Sequence, residues 1–196
     1  MKVEIISREN IFKGFFTLEK ATVRFELFNK MMSPAVGRLN VYRGDAVSVL
    51  LYNSLKQTLV FVRQFRYPVY TVEPDNAWTI ECVAGAIENG LSDRDTAVHE
   101  ALEETGYHLE AAQLQYIGKC YPSPGGTSER IYLFAADVAD CRRQSDGGGS
   151  AHDNAEDIRV EEYGYAETFA KVDSLEICDA KTLISLAWFK SQIGAQ

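Results

Sequence analysis

The apolar and polar positions fall into runs with strand-like and helix-like spacing. Residues 3–12, 14–27 and 38–42 are rich in β-branched and aromatic side chains with partial alternation, which predicts strands. KMMSPAVG, at 30–37, breaks them and reads as a turn. Residues 46–53 and 57–65 are strongly apolar and predict two strands joined by a short polar turn at 54–57. A loop with two prolines follows at 67–76. WTIECVAGAIE, at 78–88, reads as one further strand ending at Gly85. Residues 116–121, 130–138 and 158–165 also predict strands. The clearest helix is 92–106. Ser92 is a good N-cap, with Asp95 three residues on as a capping-box variant, and Gly106 supplies a left-handed C-terminal residue. Residues 166–175 and 179–193 read as closing helices, the second with an apolar stripe at Leu183, Leu186, Ala187 and Trp188. Residues 144–157 predict a long, flexible, acidic loop that holds the one low-complexity patch, Gly147 to Gly149.

Strands interspersed with single helices indicate α/β (α+β) layering. The lack of helical signal before residue 90 sets residues 1–44 apart as a small N-terminal β appendage, a candidate dimer-forming region, in front of a main domain at 45–196. At about 150 residues per domain, 196 residues accommodate that division.

Composition narrows the function. A 46% hydrophobic and 24% charged chain is ordinary for a globular protein, so wholesale disorder is excluded. Twenty basic against 28 acidic residues give a net charge of −8. That argues against sequence-independent binding to nucleic acid or to an anionic membrane. If the substrate carries phosphate, something other than net charge must offset it. No run of about 18 apolar residues suggests a membrane span, and MKVEIISRENIF lacks a leader's apolar core. Cysteines 82, 120, 141 and 178 form no C-x-x-C pair and are expected to be buried free thiols, which points to a cytoplasmic protein.

On the helix at 92–106, Glu100, Glu103 and Glu104 lie at i, i+3 and i+4, within an arc of about 100°. Val98, Ala101, Leu102 and Thr105 fall opposite them and are expected to pack inward. Like charges at this spacing repel. The arrangement reads either as a solvated acidic face or as ligands for a hard divalent cation, which takes oxygen donors.

The context of the helix favours the cation. GAIENGLSDRDTAVHEALEETGY, residues 85–107, resembles the signature box of the Nudix hydrolases. That box reads Gly, five residues, Glu, seven residues, then Arg-Glu-apolar-x-Glu-Glu-x-Gly-apolar. Gly85, Glu100, Glu103, Glu104 and Gly106 match it. Leu91 stands where the family has Glu and His99 where it has Arg, so the ion pair that braces the family's loop is lost as a unit. The resemblance implies a Nudix fold, a mixed β-sheet sandwiched between helices. It also implies Mg²⁺, with Mn²⁺ able to substitute, bound by Glu100, Glu103, Glu104 and the carbonyl of Ala84, and it places Glu103 among the catalytic residues.

Further segments resemble the subgroup of ADP-ribose pyrophosphatases and GDP-mannose hydrolases: RQFR at 63–66, ECVAG at 81–85, SPGGTSER at 123–130, EDIRV at 156–160 and DAKT at 179–182. Guanidinium suits bidentate phosphate contact. The resemblance favours Arg66 for that contact and leaves Arg63 structural. Ser123, Gly125 and Gly126 form either an ordinary turn or a loop whose backbone approaches a ligand. Glu129 matches a position the family uses near metal or substrate. Phe15 is either a core side chain or the aromatic that stacks on the nucleotide base. The family's general base falls on Asn154, whose amide is no useful proton acceptor. Glu156 is the preferred substitute, with Asp153 and, more weakly, His152 as alternatives.

The implied activity is hydrolysis of a nucleoside diphosphate sugar, of ADP-ribose or GDP-mannose type, to a nucleoside monophosphate and a sugar phosphate. The implied assembly is a homodimer in which N-terminal strands exchange. The alternative is a catalytically weak or inactive Nudix-fold module that binds nucleotide sugars, motivated by Leu91, His99 and Asn154.

Overall fold

A computed structural model describes residues 1–88, 90–149 and 157–193. The chain divides into two compact units, Met1–Gly44 with Tyr121–Arg130, and Asp45–Cys120 with Ile131–Gln196.

The first unit is an antiparallel sheet of β1 (Val3–Lys13), β2 (Thr17–Phe25) and β3 (Val36–Tyr42), in that spatial order. Its registers run from Val3 opposite Phe25 to Lys13 opposite Thr17, and from Thr17 opposite Tyr42 to Val23 opposite Val36. Every residue of β1 is exposed. The β2–β3 connection closes with Lys30 at φ 70°, in the left-handed region, inside a turn hydrogen-bonded between Leu27 and Met31. Residues 121–130 join this unit because Thr127 bridges Val41 and the Val41 N–H donates to the Gly126 carbonyl at 2.8 Å.

The second unit is built on β4 (Ala46–Asn53) and β5 (Thr58–Phe65). Next come a short helix α1 (Tyr67–Tyr70), β6 (Trp78–Glu81), β7 (Val83–Ala86), the acidic helix α2 (Asp93–Thr105) and β8 (Gln115–Cys120). It ends with β9 (Ile131–Asp137), β10 (Ile158–Gly164), α3 (Tyr165–Asp173) and α4 (Ala180–Ile193). The strand order is β10-β5-β4-β9-β8, with β6 paired to β5 and β7 to β4; among the described residues of this sheet only β4 and β9 run parallel.

Strands β4 and β5 are apolar on both sides because helices cover both faces of the sheet. Val47, Val49, Leu51, Val60 and Val62 pack with Ala97 and Ala101 of α2. On the opposite face Leu50, Leu59, Phe61 and Ile80 pack with Leu186 and Phe189 of α4, flanked by Phe169 and Val172 of α3. This is the expected mixed sheet between helices.

Four expectations change in detail. The single strand expected at 78–88 is two. At buried Cys82 the backbone N–H donates to the Thr182 hydroxyl at 2.8 Å, so the ladder breaks and the chain passes from β5 to β4. The loop at 67–76 contains α1 and a 3₁₀ turn, Pro74–Asn76, each with proline in its first turn, where a missing N–H costs nothing. The buried stripe of α4 is Thr182, Ser185, Leu186 and Phe189, whereas Ala187 is exposed and Trp188 half-buried. Helical spacing from Thr182, the residue tied to Cys82, selects that set. The cysteines are all free thiols, but only Cys82 is buried, with its thiol pushed up to about 12 by that burial, and Cys178 is exposed.

Candidate active site

Helix α2 starts and stops where its caps require. The Ser92 hydroxyl accepts the Asp95 N–H at 3.1 Å, and Gly106, at φ 76°, donates its N–H to the Leu102 carbonyl. The helix is oriented differently from the simple two-face expectation. Its buried residues are Thr96, Ala97, Ala101, Glu104 and Thr105, while Val98 and Leu102 are only half-buried. Glu103 is exposed, Glu100 half-buried and Glu104 buried, so the carboxylates do not form one solvated face. Burial of Glu104 is offset by a hydrogen bond that its Oε2 accepts from the Ala84 N–H at 3.1 Å.

Gly85 is fixed by Glu100. A Cβ on residue 85 would lie 1.8 Å from the Glu100 Oε1 and 2.0 Å from its Cδ. The box glycine is therefore a cradle for a carboxylate, and this contact, together with the Ala84–Glu104 hydrogen bond, ties β7 to α2. Among the described residues, no three carboxylate, imidazole or thiol groups enclose a metal ion by themselves. The donors here are hard oxygens, which suit a cation that completes its shell with water and substrate oxygens.

The glycine patch has a defined structure up to Gly149. Gly147, Gly148 and Gly149 have φ of 72°, 119° and 91°. The N–H groups of Gly148 and Gly149 donate to the carbonyls of Glu104 and Glu103 at 3.1 and 3.3 Å. The Arg143 Nε donates to the Thr105 carbonyl at 3.0 Å, and the Gln144 N–H to the Gly106 carbonyl at 2.7 Å. These donors satisfy the carbonyls that every helix leaves open at its C-terminus. The expectation of a flexible loop over 144–157 fails for residues 144–149, because glycine backbone with positive φ docks onto α2. The candidate bases Asp153 and Glu156, like His152 and Asn154, lie outside the described residues.

Arg66, the residue after β5 and the N-cap of α1, sits in a salt-bridge network that the spacing of the sequence does not show. Its Nε and Nη2 donate to Oε1 and Oε2 of Glu81, both at 2.8 Å. Oε1 also accepts the Thr79 hydroxyl at 2.5 Å, and Oε2 accepts the Lys181 ammonium. Lys181 pairs in turn with Asp179 at 3.0 Å, and Asp179 caps α4 by accepting the Thr182 N–H and hydroxyl. Burial works against the charged form of Glu81, but the Arg66 hydrogen bonds and the Lys181 charge outweigh it and hold the carboxyl at about 2. Arg66 and Lys181 are likewise desolvated, yet the acids facing them raise both above their ordinary values. The available signal was a carboxylate inside an otherwise apolar strand segment, which demands a cationic partner. Arg63 is structural in its contacts, pairing with Glu161 at 2.8 Å and Glu176 at 3.4 Å.

The remaining expected residues belong to the first unit. Ser123 accepts the N–H groups of Gly126 and Thr127 through its carbonyl, both at 3.0 Å. A Cβ on Gly125 or Gly126 would meet no described atom within 4 Å, and neither has a positive φ, so local packing does not require glycine there. Glu129 is buried and pairs with Arg43 at 3.2 Å. Phe15 is 92% exposed at the β1–β2 hairpin tip, edge-on to Phe16, which corrects the reading as a core side chain: three residues spanning a hairpin leave it nothing to pack into. At the two box departures, Leu91 and His99 are both exposed. The first turn of α2 is tied down instead by Arg94, whose Nη1 donates to the carbonyls of Ala111 and Leu114, each at 2.9 Å.

Comparison with known proteins supports what these features suggest. Residues 42–177 match the NUDIX domain. The chain belongs to the Nudix family. It is a Nudix hydrolase similar over nearly its whole length to two kinds of bacterial enzyme. It is 36% identical over 188 residues to the ADP-ribose pyrophosphatase of Escherichia coli K12, covering 96% of this chain and 88% of the relative. It is 33% identical over 185 residues to the GDP-mannose pyrophosphatase of Pectobacterium atrosepticum, covering 94% of this chain and 92% of the relative. A solved structure described as an ADP compounds hydrolase shares the Nudix fold, with a TM-score of 0.76, 18% identity, and coverage of all of this chain and 96% of that one.

Proposed function

We propose that this Nudix hydrolase cleaves the diphosphate of a nucleoside diphosphate sugar, of ADP-ribose or GDP-mannose type, to a nucleoside monophosphate and a sugar phosphate. The observation that carries the reading is the pairing of Glu100 with Gly85 beside Ala84 and Glu104, in a chain similar over most of its length to pyrophosphatases of both substrates. Mg²⁺, or Mn²⁺ in its place, would be held by Glu100, Glu103, Glu104 and the Ala84 carbonyl, with Glu103 also serving the chemistry. When bound it supplies a positive charge that offsets the diphosphate and lowers the pKa of water. That charge explains how a chain of net charge −8 serves an anionic substrate.

The chain's own residues supply orientation and proton transfer. Arg66 orients the diphosphate, since Glu81 fixes its guanidinium. Ser123, Gly125, Gly126 and Glu129 line the substrate, and the open space over both glycines suits close approach by a ligand. Phe15, projecting from a hairpin tip, stacks on the base. On the sequence argument, Glu156, with Asp153 as the alternative, takes the water's proton.

The protein acts as a homodimer through its N-terminal region, residues 1–44. Val3, Ile5, Ile11, Phe12 and Leu39 expose apolar surface of the kind that marks association sites. Neither nucleic acid nor membrane is a partner. The free thiols suit the reducing cytoplasm.

The test is release of AMP from ADP-ribose and of GMP from GDP-mannose, with Mg²⁺ and with chelator. Chelator-sensitive release ranks the two substrates. Folded protein that releases neither product refutes the hydrolase assignment for this substrate class and favours the nucleotide-sugar-binding module.

A further inference from the structure

Glu81 and Lys181 are buried charged side chains to which the reaction gives no direct part. The Glu81 carboxylate offers about four acceptor sites, and four donors occupy them: the Arg66 Nε and Nη2, the Thr79 hydroxyl and the Lys181 ammonium. A carboxylate saturated on both oxygens cannot rotate without losing charge-assisted bonds. Arg66 is therefore gripped along its Nε–Nη2 edge. Its Nη1 side makes no hydrogen bond among the described residues, and the side chain is 38% exposed. The free end of a guanidinium is itself a two-pronged donor, matched to a phosphate.

Lys181 carries the grip back to the last helix. It lies in the first turn of α4, its side chain is 11% exposed, and Asp179, the cap of that helix, holds it from the other side. Thr182, one residue on, binds the backbone of Cys82 next to Glu81. The N-terminus of α4 is thus fastened to the strand end that orients Arg66.

Building on the assignment of Arg66 to the substrate diphosphate, we propose that Glu81 and Lys181 are positioning residues, which act through Arg66 and present its Nη1 edge to the phosphates. A glutamine at 81 has one acceptor oxygen and would turn its NH₂ group toward a cation, so the grip fails. A lysine at 66 cannot hold Glu81 and a phosphate together in one plane.

The experiment is a double-mutant cycle of R66A and E81Q, with ADP as the probe. Affinity is read by calorimetry with Mg²⁺ present, the ADP being checked for hydrolysis afterwards, and folding by thermal melting. R66A and E81Q are each expected to weaken ADP by about tenfold or more, the size of a lost charge-assisted pair. E81Q should add almost nothing in the R66A background, because contacts made through one group are not additive. An equal loss from E81Q with and without Arg66 overturns the proposal, as does wild-type affinity in folded E81Q. If E81Q does not fold, K181M carries the test: a several-fold loss that vanishes in the R66A background supports the proposal, and unchanged affinity overturns it. Wild-type affinity in R66A would instead overturn the phosphate assignment itself, and this proposal with it.

Discussion

Replacing Gly85 with alanine separates what this residue does for the fold from what it does for the site. Ordinary van der Waals contact begins near 3.4 Å, but the new Cβ would sit 1.8 Å from the Glu100 Oε1, so that carboxylate must retreat by about 1.6 Å. The backbone can accept the change, because Gly85 has no positive φ and the clashing atoms end a flexible side chain. A displaced rotamer costs about 1 kcal/mol, and losing a glycine from the unfolded chain returns about 0.4–1 kcal/mol. The melting temperature should move by no more than about 4 °C. Activity should fall on the order of 100-fold, the usual consequence of misplacing a reacting group by an ångström. Product release under a Mg²⁺ titration, beside a thermal melt of the same preparation, reads both quantities. G85A in the E100A background should cost little more than E100A alone. A wild-type rate in G85A would show that the position of Glu100 against β7 does not matter to the reaction. A large fall in melting temperature with the rate per folded molecule intact would show that the glycine serves packing alone.

Three further outcomes follow from the same contacts. Glu81 titrates at about 2 in the folded protein against an ordinary 4.5, so its stabilisation is complete above about pH 4.5 and is lost as the pH falls toward 2. The loss is on the order of 3 kcal/mol, and urea melts between pH 5 and 3 should show a shallower decline in E81Q than in wild type. Gly147→Ala sets a Cβ 2.3 Å from the Glu104 carbonyl at a φ of 72°, where backbone cannot yield, and should cost about 1–3 kcal/mol by denaturant melt. Gly125→Ala meets nothing within 4 Å and should leave stability within about 0.5 kcal/mol while raising KM for the substrate; an unchanged KM would remove Gly125 from the substrate loop.

Features that depend on neighbours in the chain can be read from the order of residues. Helix α2 is legible from Ser92, Asp95 and Gly106 because caps are local hydrogen bonds. The apolar strands β4 and β5 are legible because they are buried on both faces. The box spacing placed three glutamates on two turns of one helix. Tertiary structure alone decided which of those carboxylates would be buried, since α2 presses Glu104 against Ala84 and Glu100 against Gly85. It broke one expected strand at Cys82, because the competing acceptor, Thr182, lies 100 residues away. It also gave the triple glycine a docked conformation and made Glu81 the hub of a buried charge network. In each case at least one partner is distant in the chain, and burial makes it unfavourable to leave a polar group alone. Local periodicity can show that such a group needs a partner, but only the packed fold selects which one it finds.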